Sequence, residues 1–93
     1  LWEAFKKLGY IIFYTVKNEI VSGFVIKIGT KAYDAASKVH SDIKKGFIKA
    51  EVVDIVNFLK YPSWNVLKEK GLLRIEGRDY IIKDRDIVEF KFS

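Results

Sequence analysis

Residues 29–53 read GTKAYDAASKVHSDIKKGFIKAEVV, and this stretch decides the fold. Ala32, Ala35, Ala36, Val39 and Ile43 recur at helical spacing, leaving Lys31, Asp34, Ser37, Lys38, Ser41, Lys44 and Lys45 mostly on the other side. The spacing predicts one amphipathic helix. Thr30 is placed to cap it, with its hydroxyl accepting from a free amide of the first turn. Lys44 and Lys45 complement the negative end of the helix dipole, and Gly46 is expected to close the helix with a positive φ. The chain then alternates, with Ile48, Ala50 and Val52 on one side and Lys49 and Glu51 between them, which predicts a strand.

Working outward, YIIFYTV (10–16) and Ile20–Ile28 are rich in β-branched and aromatic residues and flank Lys17-Asn18, which predicts a β-hairpin. Gly23 lies mid-strand, where a bulge or a close neighbour is the usual reason. On the other side, Asp54 and Ser63 are positioned to cap two short helices separated by Pro62, the first carrying Phe58 and Leu59 and the second Trp64 and Leu67 up to Gly71. Leu72–Ile75 and Tyr80–Ile82 flank Glu76-Gly77-Arg78-Asp79 and predict a second hairpin. Val88, Phe90 and Phe92 then form a last amphipathic strand, expected beside the first. Hairpin, helix, strand, short helical insert, hairpin and strand make an α+β chain of β-grasp (ubiquitin-like) type, a mixed sheet packed on one main helix. LWEAFKKL (1–8) has helical spacing that stops at Gly9, so residues 1–9 read as the remnant of a preceding helix or linker and 10–93 as the domain.

Ninety-three residues, 49% of them hydrophobic, support one core. No apolar run approaches the roughly 20 residues of a membrane-spanning helix, so no membrane partner is expected and a cytoplasmic setting fits. There is no cysteine, and His40 is the only histidine, so neither a disulfide framework nor a zinc site is expected. The sequence holds no methionine and begins with Leu1, from which a domain of a longer protein is expected. Seventeen Lys and Arg against twelve Asp and Glu give +5, a field that attracts polyanions. Only three of the seventeen are arginine, which favours diffuse phosphate contacts over bidentate clamps.

Catalytic patterns fail on spacing. Gly29-Thr30-Lys31 lacks the order of a phosphate-binding loop, and Gly71 to Gly77 lacks a dinucleotide fingerprint. His40, Ser41 and Asp42 are adjacent, and neighbours on a helix point about 100° apart, so they form no relay. His40 reads instead as lying at the margin of the apolar stripe, and Asp84 and Asp86 read as turn acids. No metal site is expected. A ubiquitin-like conjugation role would need a Gly-Gly tail, and the chain ends Phe92-Ser93. The candidates left are contact surfaces. Lys31, Lys38, Lys44, Lys45 and Lys49 could meet RNA phosphates, and Tyr61 and Trp64 in the insert could anchor a protein partner.

The sequence also resembles a known family. Phe13-Tyr14-Thr15, Gly29-Thr30-Lys31-Ala32, Val39-His40-Ser41-Asp42, Lys45-Gly46-Phe47-Ile48-Lys49-Ala50-Glu51-Val52, Arg74-Ile75-Glu76-Gly77-Arg78-Asp79-Tyr80-Ile81 and Phe90-Lys91-Phe92 resemble the C-terminal TGS domain of the YchF family of Obg-like P-loop ATPases, in the long form typical of bacterial members. The likeness runs from about Phe13 to Phe92. It departs at Lys17-Asn18, where a Gly-Pro-like turn is common, at Phe24 in place of tryptophan, and at Arg85 in place of a turn glycine. The resemblance implies a β-grasp module with no catalytic residues of its own. ATP or GTP, with Mg, would be bound and hydrolysed by a separate P-loop domain of the parent, and the module would face RNA, the ribosome, the parent's own P-loop domain or a regulatory protein. The lysine-rich helix and the Lys45–Lys49 turn are then the expected contacts.

Overall fold

The structure is a computed structural model that describes residues 2–18 and 20–93. In chain order the elements are α1 (Trp2–Lys7), β1 (Tyr10–Lys17), β2 (Ile20–Lys27), α2 (Ala32–Val39), α3 (Ser41–Lys45), β3 (Phe47–Val53), α4 (Ile55–Lys60), α5 (Trp64–Glu69), β4 (Arg74–Glu76) and β5 (Ile87–Phe92). Five strands form one mixed sheet in the order β2-β1-β5-β3-β4. β1 and β5 are parallel and the other neighbours antiparallel, so the last strand lies beside the first as expected.

The first hairpin forms in full register, from Tyr10 opposite Lys27 to Lys17 opposite Ile20. Gly23 faces Tyr14, whose ring would sit 3.3 Å from a Cβ at that position; a neighbouring side chain, not a bulge, therefore explains this glycine. The second hairpin does not form. β4 pairs with β3, while Ile81 bridges to Lys31, so the turn at 76–79 connects two segments that each bond elsewhere.

The predicted single helix is two. α2 ends at Val39, and His40 adopts an extended conformation at φ −168° before α3 begins. There the His40 Nδ1 accepts from the Asp42 amide at 3.1 Å and caps α3. The break lets α2 lie over β2 and β3 while α3 packs on β5. Two further expectations fail locally. Lys31, not Thr30, occupies the N-cap position of α2, and the Thr30 hydroxyl donates to the Lys27 carbonyl at 2.6 Å. The first α2 amides are satisfied instead by the carbonyls of Tyr80 (from Ala32, 2.7 Å) and Arg78 (from Tyr33, 3.1 Å). Gly46 has φ −98°, so it needs no left-handed backbone; a Cβ there would run into the Ser93 carbonyl.

Where composition predicts one core, alternation along the strands builds two, because successive residues of β3 and β5 turn to opposite faces of the sheet. Val52 and Val88 belong to one, with Phe13, Ala35, Ala36, Ala50 and Phe90, beneath α2. Their neighbours Val53 and Ile87 point the other way and join Leu67, with Phe58, Tyr61 and Trp64 packed around them. Residues 50–53 are all buried because both faces of β3 are covered, the signature of a strand inside three layers. The insert is therefore the second layer on the sheet. Its helices are capped as the sequence predicts: Asp54 Oδ1 accepts from the Asn57 amide at 2.7 Å, and the Ser63 hydroxyl from the Val66 amide at 3.4 Å. α5 ends in a Schellman motif. The amides of Leu72 and Gly71 donate to the Leu67 and Lys68 carbonyls at 2.9 and 3.1 Å, with Gly71 at φ +70°.

Candidate functional site

The lysines singled out from the sequence do not form one surface. Lys31, Lys38, Lys44 and Lys45 belong to the α2–α3 layer. Lys38 and Lys45 are exposed and, among the described residues, make no ion pair. Lys31 lies 3.4 Å from Asp79, and Lys44 lies 3.1 Å from Asp34, both exposed pairs worth little in stability. Lys49 is elsewhere. Its side chain alternates with Ala50 and shares the opposite face with Glu51 and Lys91, since a strand turns successive residues to opposite sides.

Two residues that the sequence reading passed over complete the helix-side patch. Tyr33 lies between two cations, with Lys44 Nζ 4.9 Å and the Arg78 guanidinium 4.8 Å from its ring centre. Arg78 reaches there because the turn after β4 delivers its carbonyl to the Tyr33 amide. The sequence signal was the helical spacing of Tyr33, but nothing local could place Arg78 against it. On this layer Lys44 and Arg78 approach the Tyr33 ring, and Lys31, Lys38 and Lys45 stand beside them in sequence, with Asp34, Asp42 and Asp79 partly compensating. Such an array can hold phosphates without reading bases.

The residues proposed as protein anchors are largely spent on the fold. Trp64 Nε1 donates to Glu51 Oε1 at 3.0 Å, and its indole packs on the second core. Burial would raise the Glu51 carboxyl, but that hydrogen bond and the charges of Lys91, Lys68 and Lys49 hold it below the usual carboxylate range. Tyr61 packs on the same core, with Lys60 and Lys70 at 5.6 and 4.8 Å from its ring centre.

The two turn acids do more than face solvent. Asp86 is 3% exposed and accepts from the Tyr80 hydroxyl at 2.6 Å and the Lys83 amide at 2.9 Å, with Arg74 at 3.6 Å. Burial and the Asp86 carboxylate push the Tyr80 phenol up to about 12. Asp84 accepts from the Ile12 amide at 3.2 Å and meets Lys6 at 3.6 Å. Between them, Arg85 takes φ 65°, the conformation for which a glycine would be ordinary, and its amide donates to the Ile12 carbonyl at 2.7 Å. These groups weld the β4–β5 connection to β1. His40, Ser41 and Asp42 make a helix cap rather than a relay. Among the described residues no three of His, Cys, Asp and Glu gather as a metal site, and no helix is long and apolar enough to cross a membrane.

The YchF-GTPase_C family model, described as a protein of unknown function (DUF933), matches residues 10–93. The chain belongs to the YchF family, as its C-terminal domain. This YchF domain is 41% identical over 91 residues to "Ribosome-binding ATPase YchF" of Buchnera aphidicola, covering 98% of the chain and 25% of that protein. It is 43% identical over 90 residues to "Obg-like ATPase 1" of Homo sapiens, covering 97% of the chain and 23% of that protein. Bacterial and human relatives thus match over the same span. The fold agrees with the structure of the Schizosaccharomyces pombe YchF GTPase at a TM-score of 0.84 and 27% identity, over 96% of the chain and 24% of that protein. The YchF domain spans about a quarter of the length of the curated relatives it matches. Of its departures from the family pattern, Phe24 is accommodated by stacking on Phe13 at 5.4 Å, and Asn18 takes the left-handed turn at φ 51° that asparagine tolerates.

Proposed function

We propose that this chain is the TGS domain, of β-grasp topology, of a cytoplasmic YchF-like nucleotide-binding protein, and that it contacts RNA or the ribosome through the α2–α3 layer. Hydrolysis of ATP or GTP, with its Mg, belongs to a separate P-loop domain of the parent; this domain is a non-catalytic docking module. The observation that carries the reading is that Lys31, Lys38, Lys44 and Lys45 lie on one layer, where Arg78 joins Lys44 at the Tyr33 ring. The name of the Buchnera relative as a ribosome-binding ATPase supports it. Docking is electrostatic: ammonium groups displace condensed counterions from phosphates, so affinity falls with salt.

Charge reversal of the two exposed, unpaired lysines tests this. Lys38→Glu with Lys45→Glu is expected to weaken binding of an RNA duplex and to reduce the slope of log affinity against log salt by about 2. An unchanged slope counts against the surface.

A second reading has its own observation. Val56 and Leu59, one helical turn apart on α4, are 72% and 71% exposed, an apolar pair suited to docking on the parent's P-loop domain or a partner protein. Leu59→Ser, which leaves RNA binding intact while loosening that contact, separates the two. Trp64→Ala does not, because Trp64 packs on the second core and holds Glu51.

A further inference from the structure

The sheet ends on one side in an open strand. β2 is terminal in the strand order and pairs only with β1, in unbroken register from Ile20 to Lys27, whereas the opposite edge strand, β4, is three residues long. The Ile28 amide donates to the Gly9 carbonyl at 2.9 Å, so the even-numbered residues of β2 bond to β1 and the odd-numbered ones turn their backbone groups outward. β1 shows the matching parity, since Ile12 and Tyr14 bond on its other side to Arg85 and Asp86. The N–H and C=O groups of Val21, Gly23 and Val25 therefore face away from the sheet and make no hydrogen bond among the described residues. The devices that usually blunt an edge are missing, because β2 has no proline, no bulge and a single charge, Lys27. Val21 and Val25 are 51% and 46% exposed on one face, and the Tyr14 ring leans over Gly23 between them. Lys17 and Lys27 stand exposed at the two ends of the hairpin and make no ion pair among the described residues.

We infer that β2 is a strand-addition site, where an extended segment of a partner protein joins the sheet, with apolar residues alternating along the segment and a carboxylate towards each end. Donors and acceptors that recur roughly 7 Å apart along a straight edge match the backbone of another extended polypeptide. A phosphate chain, whose phosphates only accept, does not match them. Register sets the rest of the guest. Its residues opposite Val21 and Val25 share their face, where β-branched side chains pair well. The residue between them lies opposite Gly23, meets no side chain there and can reach the Tyr14 ring, so a leucine or an aromatic residue fits. Lys17 and Lys27 complement the carboxylates at its ends, and β2 holds no acid to repel them. Two copies of a +5 chain repel one another, which disfavours pairing of β2 with itself. The site uses neither the lysines of α2 and α3 nor Val56 and Leu59, so it does not rest on the readings above.

The test titrates the isotope-labelled 93-residue chain with a short synthetic peptide of alternating valine and threonine, with a central leucine and an acidic residue at each end, and follows the amides by NMR. Saturable shifts at Val21, Gly23 and Val25, with slowed hydrogen exchange of those amides, are expected. Methylating alternate peptide nitrogens should abolish binding for one set and spare it for the other, because only one set faces β2. Val25→Pro removes an outward donor without removing a bond to β1, and should weaken binding about tenfold. Val21→Asp, at an exposed position that keeps every backbone bond, should weaken it as well. Failure of the peptide to bind, or equal binding by both methylated sets, overturns the inference. If concentrating the chain alone slows exchange at the same three amides, a second copy occupies the edge; if an RNA duplex displaces the peptide from them, RNA does. Either result overturns the assignment to a partner's extended segment.

Discussion

Asp86 was legible only as a turn acid, because a sequence shows its spacing from Asp84 and not the Tyr80 hydroxyl that folds back onto it. In the structure Tyr80 donates to that buried carboxylate, and the phenol is pushed up to about 12 by burial and by Asp86. A raised tyrosine contributes stability that is fully present below its ordinary pKa near 10 and is lost as pH rises through about 12. The difference absorbance titration of the wild type against Tyr80→Phe should show phenolate forming near pH 12. A transition near 10 would contradict the network. Gly71 belongs to the same scale but was readable, since a glycine after a short helix is the usual C-terminal signal. Gly71→Ala forces alanine to φ +70° and is expected to cost about 1 kcal/mol in urea unfolding. No measurable loss would mean that the chain leaves α5 by another route.

At the scale of elements, what local chemistry encodes was legible and what distant partners decide was not. The caps of α4 and α5 were readable because Asp54 and Ser63 each bond an amide three residues on. The first hairpin was readable because its strands are neighbours in the chain. The second was misassigned because β4 finds its partner in β3, more than twenty residues earlier, and the turn residues say nothing of that. The long amphipathic helix broke at His40 because the side chain offers its own nitrogen as a cap, and the stripe of apolar residues continues through the break. Where the insert packs was also hidden, although the unbroken apolar pair Val52-Val53 hinted at a strand covered on both sides. Leu67 is the insert's fully buried anchor on the second core. Leu67→Ala is expected to cost about 2–5 kcal/mol by urea unfolding, whereas Val56→Ala on the exposed side of α4 should stay within about 0.5. Equal, small effects would show that the insert does not hold the sheet.

At the scale of the whole molecule, the +5 charge was legible in composition, but the separation of Lys49 from the helix lysines was not. That separation follows from β-strand alternation, which sends Lys49 away from the helices, while a turn brings Arg78 to them. Lys49 thus lies apart from Lys31, Lys38, Lys44 and Lys45, and Arg78 reaches Tyr33 beside Lys44. If the domain meets RNA electrostatically, its affinity for ribosomes must fall with salt. Fluorescence anisotropy of the labelled 93-residue chain, titrated with ribosomes across a salt series, measures this. Micromolar binding is expected at low salt, weakening about 10³-fold or more between 50 and 200 mM salt if six or more phosphates are engaged. Absence of binding at the lowest salt, or an affinity that salt does not change, would contradict electrostatic docking.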